Sequence, residues 1–81
     1  MLALKISVVP AGNGWAVRSP SFENEMMFVA GAKAEAAARA LARRYAARGE
    51  TAEVAIFLRD GALAGRFLHP ASASGLDAIS A

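Results

Sequence analysis

The chain has 81 residues, a formal net charge of +2 and a hydrophobic content of 56%, and it contains no cysteine. That length allows one domain with a small core, and the apolar content excludes a disordered chain. The missing thiols exclude a disulfide framework, a thiolate zinc site and a thiol nucleophile. No stretch approaches the roughly 18 apolar residues needed to span a bilayer, and the apolar run after Lys5 is too short for a signal segment. A soluble, cytoplasmic protein with no membrane partner is expected.

Leu4, Ile6, Val8 and Pro10 alternate with Lys5, Ser7 and Val9, the period of a half-buried strand. Ala11-Gly12-Asn13-Gly14 supplies a turn, and Trp15-Ala16-Val17-Arg18 resumes the alternation. Joining the two sets Val8 opposite Val17 and Pro10 opposite Trp15 on one face, with Ser7 and Arg18 on the other. Residues 19–25 read as a loop, and Met26-Met27-Phe28-Val29 as a third strand.

Lys33 to Arg48 is a helix by both propensity and pattern. Ala34, Ala37, Ala38, Leu41 and Tyr45 form its apolar stripe, and Gly49 provides a left-handed stop. Its start is poorly capped, with Gly31 and Ala32 where Ser, Thr or Asp would serve, and Glu35 offsets this in part through the dipole. Two further runs, Ala52 to Leu58 and Ala62 to Leu68, flank Arg59-Asp60-Gly61, a strong hairpin signal. The implied pairs are Leu58 with Leu63, Ile56 with Gly65 and Val54 with Phe67 on one face, and Phe57 with Ala64 and Ala55 with Arg66 on the other.

The order β-β-β-α-β-β predicts an α+β fold of two layers, one helix packed on a mostly antiparallel sheet. Residues 1–69 form the single domain and 70–81 a flexible tail rich in Ala and Ser. The expected core is Leu4, Ile6, Val8, Trp15, Val17, Phe28, Ala34, Ala38, Leu41, Tyr45, Val54, Ile56, Leu58, Leu63 and Phe67.

Three stretches together resemble a family of small uncharacterised bacterial proteins, domain-of-unknown-function family 2188. They are Gly14-Trp15-Ala16-Val17, Lys33-Ala34-Glu35-Ala36 and Arg59-Asp60-Gly61, and the resemblance covers roughly residues 4–68. It implies a compact strand-and-helix domain and no established activity. The chain departs from that pattern at Ala32, where such proteins place a capping Thr, in the loop from Ser19 to Glu25, and in the tail. A second likeness is to the N-terminal domain of HicB-type antitoxins, through Gly-Trp-x-Val, a proline-containing loop and an alanine-rich helix. Pro20-Ser21-Phe22-Glu23 departs from the Asp-Leu-Pro-Gly-like loop of that group, and no DNA-binding segment follows in these residues.

Catalytic chemistry is hard to assemble. His69, the one histidine, precedes Pro70 at the start of the tail, where a general base would have no oriented partner. Glu23 and Glu25 read as solvated loop carboxylates. Gly12-Asn13-Gly14 is followed by a strand, whereas a phosphate loop needs a helix. No metal set and no cofactor site is expected, and the chain reads as a non-enzyme.

Trp15 belongs to the core by parity, and the helix arginines Arg39, Arg43, Arg44 and Arg48 to a solvated outer face. The sheet face opposite the helix is the candidate interaction surface. It carries Lys5, Arg18, Phe57 and Arg66 among small residues, which suits a homodimer or another protein partner. The alternative is a weak nucleic-acid-binding or antitoxin-like regulatory domain, with Lys5, Arg18 and Arg66 on phosphates.

Overall fold

A computed structural model of the chain describes residues 3–20 and 23–71. Within them lie β1 (Leu4–Ala11), β2 (Gly14–Arg18), β3 (Met26–Phe28), α1 (Gly31–Ala47), β4 (Ala52–Phe57) and β5 (Leu63–His69). The fold is α+β, one helix on a five-stranded sheet ordered β3-β2-β1-β4-β5. The sheet is mixed: β1 pairs with β4 in parallel, and the other pairings are antiparallel. The helix makes that parallel pairing possible by carrying the chain from β3 back to the start of β1, where Leu4 lies beside Ala52.

The first hairpin has the predicted register, with Val8 opposite Val17 and Pro10 opposite Trp15. The second is displaced at its tip. Leu58 donates its N–H to Ala62 O at 2.8 Å and accepts from Gly61 N at 2.9 Å, closing a three-residue loop with Gly61 at φ 90°. Asp60 Oδ1 accepts from Ala62 N at 2.9 Å. Phe57 therefore opposes Leu63 in place of Ala64, and an irregularity between Ile56 and Phe57 restores the predicted pairs Ile56–Gly65, Ala55–Arg66 and Val54–Phe67. The displacement moves Leu63 to the uncovered face.

The helix begins two residues before the predicted start, at Gly31, so Glu35 lies beyond its first turn and cannot serve the dipole there. Ala30 is the N-cap and offers no side-chain bond. The C-terminus is better made. Glu50 N donates to Tyr45 O and Gly49 N to Ala46 O, the paired bonds of a Schellman stop, with Gly49 at φ 89°.

The core lies between the helix and the middle strands. Ile6, Val8, Val17, Tyr45 and Val54 are its largest fully buried side chains, each contributing about 1.5–3 kcal/mol by burial. Leu4, Trp15, Met26, Phe28 and Ile56 pack at its margin. Tyr45 is buried without loss of its polar end, because its hydroxyl and Ser19 Oγ are 2.8 Å apart. Three expected core residues are not in it: Leu58 is 50% exposed, Leu63 43% and Phe67 38%. Conversely, Ala16 is fully buried although it lies on the face away from the helix, where Val9 and Met27 flank it. The last described residue, Ala71, donates its N–H to Thr51 Oγ1; the rest of the expected tail, residues 72–81, lies outside the described residues.

Candidate interaction surface

Strand parity and register place four side-chain rows across the face that the helix leaves open. Lys5, Glu53 and Leu68 make one row, and Arg18, Ser7, Ala55 and Arg66 the next. A third row is apolar: Met27, Ala16 and Val9 in register, then Phe57 one position past the last β1–β4 pair, and Leu63 opposite it. Ala11 and Gly14 end the face beside the turn. The sequence-based candidates Lys5, Arg18, Phe57 and Arg66 thus do share this face. Phe57 is half-buried; on this face the large apolar groups that meet solvent most are Leu68 at 62% and Met27 at 60%.

Two of the three cations are already engaged. Lys5 Nζ lies 3.9 Å from Glu53 Oε1, and Arg18 Nε bonds Glu25 Oε2 across the second loop. Arg66 has no carboxylate partner among the described residues. Glu25 was legible only as a solvated loop residue, since nothing in a loop's composition says which strand end it reaches. Beside it, Arg18, Ser19, Glu23 and Asn24 line a small polar hollow of about 230 Å³.

The helix arginines divide in the same way. Arg39 Nε donates to Glu35 Oε2 at 2.9 Å, and its guanidinium stands 4.0 Å from the Phe67 ring centroid. Arg48 stands 5.4 Å over Tyr45 and within 3.8 Å of Glu50. Arg43 and Arg44 are exposed.

At one end of the sheet the helix start and the second turn meet on Trp15. The Arg59 guanidinium lies 4.7 Å from the ring centroid and donates to Gly12 O at 3.0 Å and Asn13 O at 2.7 Å. A Cβ on Gly31, at the helix start, would stand 3.1 Å from the same ring. Trp15 is therefore clamped between the helix terminus and a turn residue 44 positions away in sequence. Its ring is occupied as a structural element, which removes it as a stacking platform. Arg59 was missed as a contributor because a turn sequence carries no signal of a contact that distant.

A groove of about 350 Å³ is lined by Ala11, Asn13, Gly14, Met27, Phe28 and Val29 and contains no ionisable side chain. His69 ends β5 opposite Ala52, half-buried, with no hydrogen bond to another described residue through its ring. No group of three or more His, Asp or Glu among the described residues could hold a metal ion. No helix among them is long and apolar enough to cross a membrane. No protein-family model, curated protein or solved structure matches the chain.

Proposed function

We propose that this chain is a non-enzymatic, cytoplasmic protein–protein interaction module whose partner is a second copy of itself. The observation that carries the reading is the distribution of exposed apolar groups. Met27 at one edge of the open sheet face, and Leu63 and Leu68 at the other, are exposed where the helix does not reach, and exposed apolar surface of this kind supports a protein partner. The charges beside them support the same partner. Lys5 and Arg18 are neutralised within the chain, leaving Arg66 as the one unpaired cation of the three. A nucleic-acid binder would release about one counterion there, too little for useful affinity at physiological salt. Half-buried Phe57 offers one ring where single-strand binders line up several.

Sedimentation velocity over a wide concentration range tests the reading directly. A concentration-dependent shift from monomer to dimer is expected. A chain that stays monomeric, while the amides of Lys5, Arg18 and Arg66 move on adding single-stranded DNA or RNA at low salt, would establish the nucleic-acid alternative.

A further inference from the structure

The two edges of the sheet differ in kind. β3 has three residues, too few to hold a partner strand. β5 has seven and contains neither lysine nor proline, two of the usual guards against edge pairing. It also exposes apolar side chains on both faces of the sheet, Leu63 and Leu68 on the open side and Phe67 on the helix side.

Antiparallel ladders alternate bonded and non-bonded pairs. The Leu58–Ala62 bond closes the hairpin, and the irregularity keeps Ile56 at a bonded position, as are Val54 and Ala52. Phe67 and His69 accordingly turn their N–H and C=O groups toward β4, while Arg66 and Leu68 turn theirs outward.

From these groups we infer that β5 is the dimer seam, pairing antiparallel with β5 of a second copy about a two-fold axis at Phe67. The inference rests on the self-association reading above and specifies its geometry. A two-fold seam is its own complement, so each possible centre can be tested against the residues it brings together. Centring on Arg66 sets two guanidinium groups directly opposite each other, a destabilising pair. Centring on Leu68 sets Arg66 against Pro70, which has no N–H to give.

Centring on Phe67 avoids both. Arg66 then exchanges two backbone bonds with Leu68 of the second copy, and Leu68 with its Arg66. The two Phe67 rings face each other at a close, non-bonded position, where aromatic pairs are favourable. Gly65 meets His69, a small residue against a large one, and Pro70 ends the ladder on each side. On the open face the Arg66 stem lies along the second copy's Leu68, covering the most exposed leucine among the described residues.

Because the chain has no cysteine, a single introduced thiol reports this register cleanly. Phe67→Cys places the two sulfur-bearing residues directly opposite, within the Cα separation a disulfide accepts, and should give a covalent dimer under mild oxidation. Leu63→Cys should not, since the axis puts its two copies more than ~20 Å apart. Leu68→Pro removes an outward N–H that β4 does not use, and should weaken the dimer at least ~tenfold while circular dichroism remains native. If that variant fails to fold, the cysteine pair still decides.

A wild type that is monomeric at every concentration refutes self-association and the seam with it. A wild-type dimer that neither cross-links through Phe67→Cys nor responds to Leu68→Pro, but dissociates with Phe57→Glu, refutes the seam alone. The open face would then be the contact.

Discussion

Val17 and Phe67 hold equivalent places in the two hairpins, each directly opposite a buried valine, Val8 and Val54 respectively. Val17 is 1% exposed and Phe67 38%. The difference is one of cover. A helix about 10 Å across spans two or three strands spaced about 4.8 Å apart, and this sheet has five. Tyr45, Leu41 and the small residues Ala34, Ala38 and Ala42 seat α1 over the middle of the sheet, and β5 is left at the margin. The same alternation of apolar residues thus builds a core in one hairpin and a border in the other.

Truncating one aromatic in each hairpin tests that contrast at its widest. Trp15→Ala removes a ring packed on the core and clamped by Arg59 and Gly31, and should cost about 3–5 kcal/mol. A domain of this size holds about 4–10 kcal/mol in all, so the variant should be largely unfolded at 37 °C by circular dichroism. Phe67→Ala, measured at concentrations where the protein is monomeric, should cost about 1 kcal/mol and shift the melting temperature by roughly 4–8 °C. Equal losses at the two sites would mean that β5 is as well covered as β2.

Arg59 bridges the turns of the two hairpins, and its removal sharpens the comparison from the other side. Arg59→Ala gives up two bonds to turn carbonyls and the contact with Trp15, each made at an exposed position, and should cost about 1–2 kcal/mol. Arg59→Lys should recover little of it, because an ammonium lacks the planar fork that reaches Gly12 and Asn13 while stacking. Thermal melts of the two variants that fall within a degree of wild type would show the clamp to be energetically idle.

How far the sequence could be read follows from these same residues. Local periodicity carried the strands, the helix and the first register, because Val8, Val17, Pro10 and Trp15 could satisfy parity in only one way across a short turn. It also carried Gly49, whose role needs only its neighbours. Periodicity could not say how many strands one helix would cover, so Phe67 reads as core, and it carries no sign of the extra residue that turns Leu63 to the open face. Nor could it see partners set by tertiary approach, such as Glu25 for Arg18 or Arg59 for Trp15. The candidate face was legible as a set of positions; its charge balance was not.

The gentlest test concerns the irregular tip of the second hairpin. Between the closing pair Leu58–Ala62 and the pair Ile56–Gly65, β5 carries one residue more than β4, and Ala64 is that residue. Its side chain is exposed, and it gives β4 no pair of its own. Deleting Ala64 leaves Leu63 on the open face and Gly65 on the helix face with strict alternation between them, so no side chain changes sides. The expected change is within about 0.5 kcal/mol, a shift of at most roughly 4 °C in melting temperature. Deleting Ala55 in the facing strand is the control, because losing one residue from an unbroken ladder turns Val54 or Ile56 out of the core. If the Ala64 deletion melts as early as the Ala55 deletion, the extra residue is holding the hairpin together and is not merely accommodated by it.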